Sequence, residues 1–232
     1  MVPAGRTCTQ NDLDTIDKCY VNTVFRYFKV NVNPFDFYEY YGAYINAVQN
    51  FSQIPDLCNM KKSFDLCVGT AAFQNCFDIY DFQNVKFLQN TNDRSRGLAR
   101  SMIANYMQSD LACGSAYEVV TQKLYCVFKY GSNCEGDYDS CSNSTNSYIN
   151  CVVPAVTENC GKAAGCAAKK YLSLQRCYAS DCDFCANLDY NNNPIKNMCS
   201  EDSGHPDESN ANIITLNKYV STFLFTILYF FL

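Results

Sequence analysis

Histidine is almost missing from this chain: the 232 residues contain one, His205. Serine–histidine–aspartate and cysteine–histidine catalysis both need an imidazole within hydrogen-bond reach of the nucleophile. His205 falls outside the cysteine-rich region, so those mechanisms are excluded from the folded part, and a zinc site loses its customary ligand for the same reason. Basic runs are absent too. With 18 Lys and Arg against 23 Asp and Glu, a formal charge of −5 and a pI near 4.9, the chain has no concentrated positive face for a phosphate backbone, and no nucleic-acid partner is expected. The trio Arg94, Arg96 and Arg100 reads as a solvated helix face. Strict two-residue alternation is scarce, so no β-strand is predicted. The opening residues also lack the apolar run, roughly seven to fifteen residues long, of a secretory leader. Residues 1–7 therefore read as a leaderless N-terminus, and the true start is expected to lie upstream.

Cysteine, by contrast, is abundant. Sixteen are present, an even number, and thiols at this density persist as disulfides or as metal ligands. A metal store would show repeated Cys-x-Cys steps, and the chain has none. The expectation is a framework of up to eight disulfides in an oxidising compartment, with no metal and no cofactor. Its members are Cys8, Cys19, Cys58, Cys67, Cys76, Cys113, Cys126, Cys134, Cys141, Cys151, Cys160, Cys166, Cys177, Cys182, Cys185 and Cys199; spacing leaves their connectivity open. Two acceptor sequons, Asn50-Phe51-Ser52 and Asn143-Ser144-Thr145, agree with passage through the secretory lumen and make Asn50 and Asn143 candidate N-glycosylation sites. The 18 Tyr and 16 Phe, with no Trp, supply enough apolar area for a sizeable core.

Periodicity points to helices throughout. After Thr9, a plausible N-cap, Leu13, Ile16, Cys19 or Tyr20, Val24, and Tyr27 or Phe28 recur at helical steps, with Asp12 and Asp14 suited to the positive first turn. Asn33-Pro34 breaks that helix. A second, from near Phe35, is expected to carry Tyr38, Tyr41, Ile45, Val48 and, at its end, Phe51 along one face. Pro55 precedes a third that contains Cys58, Phe64 and Cys67. Further helices are predicted between Ser95 and Tyr130, with Leu98, Met102, Tyr106, Val119, Val120, Leu124 and Cys126 facing inward. The cysteines fall into loose triplets: Cys58/Cys67/Cys76, Cys113/Cys126/Cys134, Cys141/Cys151/Cys160 and Cys166/Cys177/Cys182. A first gap of about nine to thirteen residues spans two to four helical turns, and the second takes the chain through a turn such as Tyr130-Gly131-Ser132. The predicted fold is all-α, built of disulfide-stapled helical hairpins over residues 8–200, with possible sub-blocks 8–134 and 135–200.

Three features together resemble a known group: Cys8-Thr9-Gln10 with Cys19 on the same helix, the paired steps Asp56-Leu57-Cys58 and Asp65-Leu66-Cys67 in the Cys58/Cys67/Cys76 group, and Cys113/Cys126 after an amphipathic helix. They are similar to the secreted cysteine-rich domain-of-unknown-function proteins abundant in nematodes. The likeness is one of spacing and texture and covers Cys8 to about Cys134. It implies an extracellular, disulfide-bonded helical domain and brings no established active site with it.

Few constellations suggest chemistry. Acidic groups such as Glu135, Asp137 and Asp139, or Asp181, Asp183 and Asp189, match the carboxylate pairs of glycosidases but read more simply as solvated turns. Cys182-Asp183-Phe184-Cys185 has redox-pair spacing without the strand-to-helix setting of a thioredoxin-like site. The aromatic ladder Phe35, Phe37, Tyr38, Tyr40, Tyr41, Tyr44 and Phe51 covers more than one helical face, so part of it should point away from the core, towards a ligand cavity or a protein contact.

From about Glu201 the composition turns to Ser, Asp, Glu, Asn and Pro, read as a disordered stem over residues 201–212. Within it, Glu201-Asp202-Ser203-Gly204 resembles a glycosaminoglycan acceptor, as in a chondroitin proteoglycan core, with Ser203 as the attachment candidate. Residues 213–232 read as a spacer and a removable apolar tail, YVSTFLFTILYFFL from Tyr219 to Leu232. Behind the small residues Ser209-Asn210-Ala211 this is the layout of a glycolipid (GPI) attachment signal, with Ser209 the expected site and Asn210 the runner-up. The run falls short of the about 20 apolar residues of a transmembrane helix. The function expected is therefore a non-enzymatic extracellular domain joined to the cell-surface membrane through a lipid anchor, binding an extracellular protein, glycan or lipid or serving surface architecture. The alternatives are a proteoglycan core carrying its chain at Ser203 and a binding protein for a small lipid-like ligand.

Overall fold

The computed structural model describes residues 7–89, 95–136, 141–178 and 182–199. Thr9 starts the first helix as predicted: its Oγ1 accepts the Asp12 N–H while the Asp12 carboxylate accepts the Thr9 N–H, a capping box on α1 (Gln10–Cys19). The chain continues through a π-helical stretch (Tyr20–Phe25) and α2 (Arg26–Phe28), and stops at Lys29 in the left-handed conformation. Leu13, Ile16, Cys19, Tyr20 and Val24 are buried along it as predicted; at the end of the stripe Phe25 is buried instead, and Tyr27 and Phe28 are half-buried.

Asp36 caps α3 (Phe37–Gln49) by accepting the Tyr38 and Glu39 N–H groups. The inward face of α3 differs from the expected one. Tyr40, Tyr44, Ala47 and Val48 are buried, whereas Tyr38 is 70% exposed and Tyr41 and Ile45 are half-buried. Aromatic residues surround this helix, so periodicity offers two faces of nearly equal apolarity. The neighbours decide between them, because the Tyr40 ring meets Phe25 and Phe28 edge-on, each with centroids 5.6 Å away.

The longest helix, α4 (Ile54–Cys76), has Pro55 in its first turn, where a missing N–H costs nothing, and kinks at Gly69, whose φ of 75° favours glycine. Short helices α5 (Ile79–Phe82) and α6 (Lys86–Gln89) follow. The second docks on α1, with the Phe87 N–H donating to Asp17 Oδ1 at 2.8 Å. Then come α7 (Ser95–Cys113), a second π-helical stretch (Val119–Lys123), α8 (Leu124–Gly131), α9 (Asn143–Cys160), α10 (Lys162–Gln175) and α11 (Asp183–Ala186). Leu98, Met102 and Val119 are buried as predicted; Tyr106, Val120, Leu124 and Cys126 are half-buried. Among the described residues there is no strand, only the isolated bridges Val32–Phe35 and Asp78–Asp189. The fold is all-α and disulfide-rich.

All sixteen cysteines are paired. Cys8–Cys76 and Cys19–Cys67 bracket the antiparallel pair α1/α4, and Cys58–Cys113 ties the start of α4 to the end of α7. The same double staple recurs in the antiparallel pair α8/α9, through Cys126–Cys160 and Cys134–Cys151. Cys141–Cys182, Cys166–Cys199 and Cys177–Cys185 fasten the C-terminal part. No bond closes within a sequence triplet. On α4 the triplet members stand nine residues apart, about 13 Å of helix, and a disulfide needs Cα atoms within about 7 Å.

The main core joins residues of α1, α4, α5, α6 and α7 to Leu174, Cys177, Cys182, Cys185, Leu188 and Ile195, so residues on both sides of position 134 share one apolar cluster. It is largely aromatic, with Tyr20 against Phe64 at 4.5 Å and Phe25 edge-on to Phe87 at 4.9 Å. Arg100, expected on a solvated face, is buried in α7, while Arg96 lies 4.7 Å over the Tyr80 ring; Arg94 falls outside the described residues. A helix of this length inside the core has no fully solvated face to offer. A smaller cluster of Val119, Val152, Val156, Cys160, Ala164 and Ala168 holds α8, α9 and α10 together. There α9 and α10 approach so closely that a Cβ on Gly165 would stand 1.8 Å from Thr157 Oγ1, which explains the small-residue run at the start of α10.

Candidate functional site

Charged side chains gather in a concave place where α4 passes α7. A groove of ≈ 320 Å³ there is lined by Asn59, Lys61, Lys62, Asp65, Asp110, Gly114 and the Cys58–Cys113 bridge. Its centre is Lys61, only 7% exposed. One turn of helix brings Asp65 beneath it, with Oδ2 at 2.6 Å, and α7 supplies Asp110 Oδ1 at 2.8 Å. The ammonium also lies 4.8 Å from the Tyr106 ring centroid, and the Tyr106 hydroxyl donates to Asp65 Oδ1 at 3.2 Å. Burial alone would push the Lys61 ammonium down, but hydrogen bonds and charge from Asp110 and Asp65 outweigh it and hold it above the ordinary lysine range. Burial, then the two carboxylates, pushes the Tyr106 hydroxyl far up. At neutral pH the array is a protonated lysine clamped by two carboxylates beside a neutral phenol. Such a lysine is no nucleophile, because its lone pair is occupied by a proton.

Sequence reasoning missed this cluster. Lys61 and Asp65 form a recognisable i, i+4 pair, but nothing in the sequence separates them from a surface pair or assigns Asp110 as the third member.

Behind the groove, an internal space of ≈ 20 Å³ is lined by Tyr20, Tyr40, Tyr44, Phe64, Tyr106 and Ser109 among others. That is room for about one water molecule. The aromatic ladder therefore supplies core here, while Tyr38 and Phe51 are the members that point outward, the second 50% exposed.

A buried polar layer lies between α7 and α10. The Tyr178 hydroxyl sits 2.6 Å from Asn105 Oδ1 and 2.5 Å from Gln108 Oε1; Gln108 Nε2 donates to Gln175 Oε1 at 3.1 Å, and Gln175 Nε2 to the Tyr41 hydroxyl. Burial, reinforced by neighbouring tyrosines, holds Tyr178 well above the usual phenol range. This layer links three helices through neutral donors and acceptors and contains no base.

The remaining sequence candidates are dispersed. Cys182 and Cys185 are bonded to Cys141 and Cys177 rather than to each other, and both are buried, which removes a redox pair. Glu135 is exposed, and Asp189 accepts from Asn191 and Asn192 in a turn. Asp137, Asp139 and Asp181, the Asp183 side chain, Ser203, His205, Ser209, Asn210 and the apolar tail lie outside the described residues. Among the described residues no group of three His, Cys, Asp or Glu side chains is placed to hold a metal ion, and no helix is long and apolar enough to cross a membrane.

One carboxylate pair is electrostatically unfavourable. Asp78 caps α5 by accepting the Tyr80 and Asp81 N–H groups, and the Asp81 carboxyl is pushed up to about 6, first by burial and then by Asp78. A folded pKa above the ordinary 3.8 means that the protonated form favours folding, so this contribution is present below that value and is lost as pH rises through 6. Urea denaturation between pH 4 and pH 7 is expected to show stability falling modestly with pH in wild type, and Asp81→Asn should flatten that slope. Asp81 is only half-buried, so water screens part of the interaction and the effect is small.

Compared with models of protein families, with curated proteins and with solved structures, the chain matches none. Its compartment follows from its own chemistry: the density of disulfides is that of an extracellular or secreted protein.

Proposed function

We propose that this chain is a non-enzymatic ectodomain held at the outer cell surface by a lipid anchor, where it binds an extracellular partner or contributes to surface architecture. The observation that carries this reading is the commitment of all sixteen cysteines to eight bridges around a helical core. Such a framework withstands a reductant-free, protease-rich surface and leaves no thiol for catalysis. The charged groove supports a structural or binding role, because its lysine and both aspartates are already committed to one another. Outward-facing Tyr38, Phe51, Leu66, Tyr80, Tyr117 and Tyr125 provide contact residues of the kind enriched at protein interfaces. The resemblance to secreted nematode cysteine-rich proteins agrees with the same compartment.

Attachment rests on Ser209 or Asn210 followed by the apolar run Tyr219–Leu232. Phosphatidylinositol-specific phospholipase is expected to release the protein from intact cells, and the mature C-terminal peptide should end at Ser209 or Asn210. Leu224→Asp together with Ile227→Asp should abolish surface display, since each charge costs roughly 3 kcal/mol in a membrane segment. Retention after the lipase, with a mature peptide that still contains Phe230-Phe231-Leu232, would defeat the anchor.

A further inference from the structure

We infer that the two sequons are unequal: Asn50 is the N-glycan acceptor of the mature protein, and Asn143 is withdrawn from glycosylation by the folding of its own helix. This rests on the extracellular reading above, since only a chain in the secretory lumen meets the transferase.

Asn50 ends α3 in an exposed turn that leads to α4. Its Oδ1 accepts both the Ser52 N–H at 3.2 Å and the Ser52 hydroxyl at 2.7 Å. The two polar groups a sequon requires are therefore already joined, on the surface, in a loop tied by local backbone bonds: Asn50 N–H to Ala47 O, Gln53 N–H to Asn50 O and Leu57 N–H to Gln53 O. In the transfer, Asn50 Nδ2 attacks C1 of the first sugar of a lipid-pyrophosphate-linked oligosaccharide. The new C–N bond replaces the sugar's C–O bond, the lipid pyrophosphate leaves with the electron pair, and the amide proton passes to a base of the transferase. A hydroxyl donating to Oδ1 polarises the amide carbonyl and makes the Nδ2 protons more acidic, which eases their transfer to the base.

Asn143 is built the other way. It is the first residue of α9, and Ser142 caps that helix by accepting the Thr145 N–H at 3.2 Å. Thr145, whose hydroxyl the sequon needs, is 0% exposed, with its Oγ1 3.4 Å from Ser142 Oγ. Helical backbone at 143–145 cannot extend into a transferase cleft. Bridge Cys141–Cys182 pins the chain two residues before the helix, and Cys134–Cys151 pins the helix at its middle. Only chain that has not yet folded presents this sequon.

The test is site occupancy in the full chain made in the secretory pathway of cultured cells. Enzymatic deglycosylation in heavy-oxygen water converts each glycosylated Asn to a labelled Asp, which peptide mass spectrometry counts. Near-complete occupancy is expected at Asn50, with roughly half or less at Asn143. Cys141→Ala with Cys182→Ala, and separately a short pulse of a small thiol reductant during synthesis, should each raise Asn143 occupancy towards that of Asn50. Asn50 serves as the internal reference in the same molecule, so a folding defect in the variant still gives a reading. Asn143 occupied as fully as Asn50 in untreated cells, or unmoved by both perturbations, overturns the proposal while leaving the compartment intact. No glycan at either site in a fully disulfide-bonded chain also overturns it. No glycan together with free cysteines throughout would sink the extracellular reading itself.

Discussion

Removing both bridges that bracket α1 and α4, by Cys8→Ala, Cys19→Ala, Cys67→Ala and Cys76→Ala together, is expected to unfold the protein at room temperature. The bridges close stretches of 68 and 48 residues, one nested in the other. Loop-closure entropy assigns about 4 kcal/mol to a lone bridge of either size. With one in place, the second closes a ring of only about 20 residues and adds about 3 kcal/mol. Their joint loss of about 7 kcal/mol is comparable with the whole stability of a typical domain. Either bridge removed singly should leave a folded protein with a lower urea midpoint. Cys177–Cys185, which closes 8 residues, should cost about 2.5 kcal/mol through entropy when both residues become Ala. Helical circular dichroism against urea gives the ordering. A fourfold variant with an unchanged midpoint would show that helix packing, not the bracket, holds α1 on α4.

Replacing Lys61 is expected to be the most damaging single substitution on the polar side of the core. Lys61→Met keeps the length and most of the packing of the side chain but leaves Asp65 and Asp110 facing each other without their cation. Breaking a buried pair from one side typically costs about 3 to 5 kcal/mol. Asp110 is 56% exposed on its side chain, so water recovers part of the loss and the lower end of that range applies. Asp110→Asn alone should cost far less. Lys61→Met combined with Asp65→Asn and Asp110→Asn should recover much of the single-variant loss, because no uncompensated charge is left behind. The pH dependence has a definite sign. The Lys61 pKa is raised on folding, so its contribution is complete below the ordinary lysine value of 10.5 and is lost as pH climbs through the higher folded value. Alkaline titration of stability should therefore be flatter in Lys61→Met than in wild type. Equal alkaline slopes would remove Lys61 from its place at the centre of the network.

Much of the secondary structure is written locally. Thr9 with Asp12, Pro55 at the head of α4, and Leu13, Ile16 and Val24 at helical spacing act over a few residues, and the structure follows them. Where two local solutions are equally good, the neighbours choose. Tyr38 and Tyr40 are both aromatic, two residues apart on one helix, and the rings of Phe25 and Phe28 bury the second while the first stays in water. Arg100 departs from expectation for a related reason: its sequence surroundings are charged, yet α7 threads the middle of the molecule.

By itself the sequence determined the class of the protein. Helical periodicity and an even number of cysteines without Cys-x-Cys steps settle an all-α, disulfide-bonded domain, because each of these depends on composition or on spacing along the chain. Only the tertiary structure decided which cysteines pair, and that Lys61 draws Asp110 from 49 positions away into one groove. A bridge or an ion pair joins side chains by distance in space, and the packing that sets this distance sums many weak apolar contacts from distant segments, none of which is marked in the residues that finally meet.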